Sequence, residues 1–224
     1  MIDIASTRDT AEALDAQDEL AGFRQEFIIA EPELIYLDGN SLGRLAHKTT
    51  SRLAQVVNED WGRGLIRGWN ENWFAAPQRV GEKIAKLVGA GEGQVIVSDT
   101  TSINLFKLVM AALRARPGRK QIISDRLNFP SDLYILQGCM ELLGGQHRLD
   151  LIPSEDDIAP DLRALEALIS PETALVTLSH VVFKSGYLYD ARAITEQAHR
   201  TGALVLWDLS HSAGAVPVEL DAWN

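Results

Sequence analysis

The sequence predicts an α/β protein built on a mostly parallel sheet. From residue 95 onward, short apolar runs rich in Val, Ile and Leu alternate with longer stretches of helical periodicity. The connections are long enough to be crossover helices, which places successive strands parallel, with right-handed crossovers. The 224 residues are 46% hydrophobic and 23% charged, enough apolar side chain to bury a full core.

Taken in order, residues 10–27 have helical periodicity, with Ala11, Leu14, Leu20, Phe23 and Phe27 roughly on one side. Residues 34–37 read as a short strand ended by Asp38-Gly39-Asn40. Helices follow over 47–61 and 77–88, the second closed by Gly89. The alternation then begins. Strands are expected at 95–97, 121–123, 147–152, 174–178 and 203–207. Helices are expected at 101–113, 131–143, 159–169 and 191–199, the last ended by Gly202.

Composition narrows the function. Twenty-one basic against 31 acidic residues give a net charge of −10, which argues against general affinity for nucleic acid or an anionic membrane. A single cysteine, Cys139, excludes an internal disulfide and any multi-cysteine metal site; its apolar surroundings make it a core thiol. The acidic, polar N-terminus is not a signal peptide, and no apolar run is long enough to cross a bilayer. A soluble cytoplasmic protein is expected.

In an open α/β sheet, ligands collect at the carboxyl ends of the strands. After the 95–97 run comes Ser98-Asp99-Thr100-Thr101-Ser102, leading into a helix: either a phosphate cup or an ordinary Ser/Thr N-cap. Neither a GxGxxG nor a GxxxxGK[ST] pattern occurs. After 121–123 comes Asn128-Phe129-Pro130-Ser131-Asp132, in which Phe129 is either a plate for a flat ligand or a hydrophobic staple beside a helix capped by Ser131 or Asp132. Ser179 and His180 follow the next strand, and Asp208 and His211 the last. Asp208 alone would read as a helix cap or a salt-bridge partner. The set together fits a flat heteroaromatic phosphate ester with a basic ring nitrogen, which is pyridoxal phosphate. A carboxylate facing that nitrogen keeps it protonated.

Five segments, in order, carry a family resemblance. They are Tyr36-Leu37-Asp38-Gly39-Asn40-Ser41-Leu42-Gly43, Gly64-Leu65-Ile66-Arg67-Gly68-Trp69-Asn70, Asp99-Thr100-Thr101-Ser102-Ile103-Asn104-Leu105, Asn128-Phe129-Pro130-Ser131-Asp132-Leu133-Tyr134 and Trp207-Asp208-Leu209-Ser210-His211-Ser212-Ala213-Gly214-Ala215. Together they resemble the kynureninases of bacteria. The resemblance implies a three-layer αβα large domain of the fold-type I pyridoxal phosphate enzymes over residues 46–224, preceded by an N-terminal helical arm over 1–45. It implies hydrolysis of L-kynurenine to anthranilate and L-alanine, a step of tryptophan degradation, by a homodimer with shared active sites. By the same resemblance Thr101 and Ser102 hold the cofactor phosphate and Phe129 stacks on the ring. Asp132 lies near the cofactor as a second carboxylate, and Ser179 contacts the cofactor. Asp208 pairs with the ring nitrogen, and His211 hydrogen-bonds around the ring. Ser41 and Trp69 line the substrate pocket, facing the partner subunit's site, and Trp69 implies a preference for kynurenine over its 3-hydroxy form.

One departure stands out. The family's cofactor-anchoring lysine belongs to a Tyr-Lys pair on a later strand end, and its carboxylate-binding arginine to a C-terminal domain. Neither is found up to Asn224. The expectation is therefore an N-terminal part of such an enzyme, inactive alone and completed by a C-terminal remainder. The strand-end Asp with a nearby His is shared more loosely with cysteine desulfurases and lyases, and a non-catalytic cofactor-binding fragment is the other alternative. Cys139, placed in a helix, is a poor nucleophile for desulfurase chemistry.

Overall fold

A computed structural model describes residues 7–223. The chain divides into two compact units, Met1–Phe74 and Ala75–Asn224, whereas the resemblance implies a boundary at 45/46.

In the first unit the expected long N-terminal helix is broken. Helix α1 spans Arg8–Asp15, and a 3-10 segment spans Ala21–Glu26. Between them Asp18 turns its carboxylate back to accept from the Leu20 N–H at 2.8 Å, a local bond that competes with helix continuation. The expected strand at 34–37 does not form; the one bridge in this region joins Phe27 to Ala46. Ile35 and Leu37 are exposed. Helix α2, His47–Gln55, runs into a π-helical turn over Val56–Trp61.

The second unit holds the sheet. Helix α3 (Ala76–Ala85) is followed by residues 95–97, which were expected as a strand but pair with no neighbour among the described residues. Instead the Val97 N–H reaches the Pro77 carbonyl at 3.3 Å, and the segment lies so close to α3 that a Cβ on Gly81 would collide with the Val95 carbonyl oxygen. Helix α4 (Thr101–Ala115), strand β1 (Gln121–Asp125), helix α5 (Pro130–Leu142), strand β2 (Arg148–Ile152), helix α6 (Leu162–Leu168), strand β3 (Thr173–Ser179), helix α7 (Ala191–Arg200) and strand β4 (Leu204–Asp208) then alternate as expected. A short helix α8, Leu220–Trp223, was not anticipated.

The strand order is β2-β1-β3-β4, and all three pairings are parallel. Strand alternation divides the apolar side chains between two layers. Ile122 and Leu175 pack with Leu105 and Val109 of α4 and with Leu136 and Cys139 of α5. Ile123, Val176 and Leu178 pack with Leu165 of α6 and with Ile194 and Ala198 of α7. This is the three-layer αβα arrangement, and Cys139 is the buried core thiol expected. Because β1 leads outward to β2 while β3 and β4 build the other way, the order reverses between β1 and β3. In open α/β sheets the ligand crevice lies at the carboxyl end of such a switch point.

Candidate active site

The loops after β1, β3 and β4 open at that end of the sheet. Ser179 and Asp208, the last residues of β3 and β4, are direct register partners, and the His180 N–H donates to the Asp208 carbonyl at 2.9 Å. Asp208 Oδ1 accepts from the Ser210 N–H at 2.7 Å and from the Ser210 hydroxyl at 2.5 Å. Asp208 thus closes a turn rather than capping a helix, and both contacts use the same oxygen.

The ring of Phe129 meets Phe183 edge-on at 5.0 Å, and Phe183 stacks on His211 at 6.4 Å. Phe129 is 42% exposed, so it is an open plate rather than a core residue. It is the N-cap of α5 and carries no side-chain cap bond; Pro130 occupies the first turn. Ser131 and Asp132 therefore lie inside the helix and do not cap it. Asp132 is only 4% exposed. Burial raises its pKa to about 6, with the nearby Asp208 carboxylate adding to the rise and the Ser131 hydroxyl opposing it. The Asp208 charge thus disfavours ionisation of Asp132, and a cationic group beside Asp132 would oppose that effect.

Thr101 and Ser102 open α4, whose cap is Thr100, its hydroxyl accepting from the Ile103 N–H at 3.4 Å. The cap role is filled one residue earlier, which leaves the two hydroxyls of the first turn for another use. Helix α4 runs against the strands: Arg116, beyond its C-terminus, donates to the Gly202 carbonyl just before β4, at 2.7 Å. Its N-terminus therefore lies toward the carboxyl end of the sheet.

Ser41 and Trp69 belong to the first unit. The Ser41 hydroxyl donates to Asp38 Oδ1 at 2.7 Å, and the Tyr36 hydroxyl holds the same turn through the Leu42 carbonyl at 2.6 Å. Trp69 meets Trp73 edge-on at 6.0 Å on the wall of an apolar hollow of about 490 Å³.

The site also recruits residues that were not singled out as site residues from the sequence. Phe183 joins Phe129 to His211; its loop position between Val182 and Lys184 gave no periodic signal. Asn128 was visible only as part of a motif, yet its amide is bonded on three sides. Lys184 sits with its Nζ over the Phe183 ring at 5.5 Å. The buried Nδ1 atoms of His180 and His211 find no partner among the described residues, and burial lowers the His180 pKa. No group of three or more His, Cys, Asp or Glu suited to a metal occurs among the described residues.

A strand-end carboxylate, an open aromatic plate, an imidazole with a free buried nitrogen and a helix N-terminus with two hydroxyls form a set that suits a flat, cationic, phosphorylated ring. The comparisons agree. The sequence profile of the family described as aminotransferase class V matches residues 36–224, so the chain belongs to that family. Within it, the chain is 46% identical over 220 residues to the kynureninase of Pseudomonas fluorescens and equally to that of Burkholderia pseudomallei. Each alignment covers 96% of this chain and 51% of the relative, so the chain spans about half the length of these curated relatives. Among solved structures, an apo cysteine desulfurase from Thermococcus onnurineus matches with a TM-score of 0.74 at 21% identity, covering 91% of this chain and 50% of that one. A C-DES mutant with glycine covalently linked to its PLP cofactor matches with a TM-score of 0.75 at 17% identity, covering 92% and 53%. These two share the fold. Pyridoxal phosphate is the cofactor that the family and the residue set together indicate.

Proposed function

We propose that this chain carries the pyridoxal phosphate site of an enzyme that hydrolyses L-kynurenine to anthranilate and L-alanine. The observation that carries the reading is the convergence of Phe129, Ser179, Asp208 and His211 at the carboxyl ends of adjoining parallel strands, in a chain 46% identical to kynureninases. When bound, the cofactor supplies an electron sink for a carbanion at the substrate Cα. Asp208 keeps the ring nitrogen protonated, since an opposite charge favours the cationic form. Phe129 covers one ring face and excludes water from it. Thr101 and Ser102, with the N-terminus of α4, hold the phosphate. His211 and Ser179 hydrogen-bond around the ring, and Asp132 provides a second carboxyl able to hold a proton near neutral pH. Ser41 and Trp69 line the substrate pocket facing the partner subunit's site in a cytoplasmic homodimer.

The complete activity requires a C-terminal remainder that brings the lysine and the carboxylate-binding arginine. The desulfurase alternative is less favoured: Cys139 is fully buried in α5, and burial raises its pKa, the reverse of what a thiolate nucleophile needs. The test is anthranilate fluorescence with this chain and its C-terminal complement present. Turnover of L-kynurenine supports the reading. Cofactor binding without turnover would leave only a binding protein, and turnover of cysteine instead would move the chain to the desulfurases. For the chain alone, borohydride reduction with cofactor should yield no single stoichiometric pyridoxyl-lysine.

A further inference from the structure

We infer that Asn128 is a positioning residue of this site: its carboxamide ties down the backbone beside the Phe129 plate and fixes the Ser179 hydroxyl so that it offers a bound group lone pairs and no proton. The inference rests on the reading of these strand ends as a pyridoxal phosphate site. Asn128 is 4% exposed and makes three hydrogen bonds. Its Oδ1 accepts from the Phe129 N–H at 2.8 Å and lies 2.8 Å from the Ser179 hydroxyl; its Nδ2 donates to the Ser124 hydroxyl at 3.0 Å.

These partners determine every proton direction. A backbone N–H only donates, so the amide atom facing Phe129 must be the oxygen. An amide oxygen only accepts, so the Ser179 hydroxyl must give it its proton. The Ser179 oxygen then keeps only acceptor capacity. Its register partner is Asp208, whose carboxylate also only accepts. Directly paired residues on adjacent strands project to the same side of the sheet. The ends of β3 and β4 together therefore present an acceptor-only edge, which selects a ligand bearing protons there. The chemical class is a protonated heteroaromatic ring, and a neutral ring with bare acceptors is disfavoured. Asn128 joins the residue that sets this polarity to the loop that carries the plate.

The test uses Asn128→Leu, Asn128→Asp and Ser179→Ala, with Asn128→Leu combined with Ser179→Ala as a double-mutant cycle. The first readout needs no cofactor: residue-resolved hydrogen exchange at the Phe129 amide. Asn128→Leu should speed exchange about tenfold or more, as expected for loss of one buried hydrogen bond. Asn128→Asp, which keeps an acceptor at that position, should stay within about threefold of the parent. It also serves if the leucine variant does not fold. The second readout is the affinity for pyridoxal phosphate, followed by absorbance. Ser179→Ala should weaken binding about tenfold in the parent and only about twofold in the Asn128→Leu background, where the hydroxyl is free to turn. Equal effects of Ser179→Ala in both backgrounds would overturn the inference. So would a Phe129 amide indifferent to Asn128→Leu or unprotected in Asn128→Asp. If the parent, measured with its C-terminal complement present, binds no cofactor at all, the functional reading fails, and the exchange result alone decides the role of Asn128.

Discussion

Replacing Asp132 by Asn should change the pH dependence of stability in a way worked directly from the site. Asp132 is 4% exposed, and its pKa rises from 3.8 to about 6. At 1.36 kcal/mol per tenfold change in proton affinity, holding the ionised carboxyl in the fold costs about 3 kcal/mol at neutral pH. The folded chain keeps this proton to higher pH than the unfolded chain does. The stabilising effect is therefore fully present below about pH 4 and is lost as pH rises through about 6. Asparagine mimics the protonated carboxyl and does not titrate. The variant should match the parent near pH 4 and exceed it by up to about 3 kcal/mol at pH 7.5. For a chain of this size that is roughly 6–12 °C in melting temperature. Burial is the larger cause of the rise and Asp208 the smaller, so Asp208→Asn should remove only a minor part of the pH dependence. The assay is thermal unfolding of the cofactor-free chain between pH 4 and 8. A constant difference between parent and Asp132→Asn across that range would refute the account of a buried, proton-holding carboxyl.

Three further outcomes are expected. The Tyr189 hydroxyl donates to the fully buried Asp125 at 2.6 Å, so Tyr189→Phe should cost about 1–3 kcal/mol in denaturant unfolding. Burial already raises the Asp125 pKa and Tyr189 holds it down, so that loss should be larger at pH 8 than at pH 5. In the completed enzyme, Asp208→Asn should keep most cofactor binding, held by the other contacts, and lower turnover by about two orders of magnitude or more, because an amide cannot hold the ring nitrogen protonated; near-parental rates would remove that role. The completed enzyme should also turn over kynurenine faster than 3-hydroxykynurenine, measured side by side. Equal rates would defeat the specificity attached to Trp69.

The sequence by itself determined the alternation from α4 to β4, because each of those segments carries its own periodicity and its own stop signal. Ile122 and Ile123 announce opposite faces of a buried strand, and Gly202, at φ +79°, closes the turn after α7. The candidate site residues were singled out on the same ground: Phe129, Asp132, Ser179, Asp208 and His211 all follow predicted strands, where an open sheet places its ligands. Segments whose fate depends on a partner were not legible. Residues 34–37 and 95–97 are apolar enough for strands, but a strand exists only where a neighbour supplies its hydrogen bonds, and among the described residues neither has one. The strand order, with its reversal between β1 and β3, was likewise a tertiary decision, as was the pairing of Ser179 with Asp208. The effect of the Asp208 charge on Asp132 and the bond from Ser179 to Asn128 join residues 76 and 51 positions apart. Local periodicity carries no information about such distant partners. Only the folded sheet sets which side chains share a buried, low-dielectric space, and so which carboxyl keeps its proton and which hydroxyl gives its proton away.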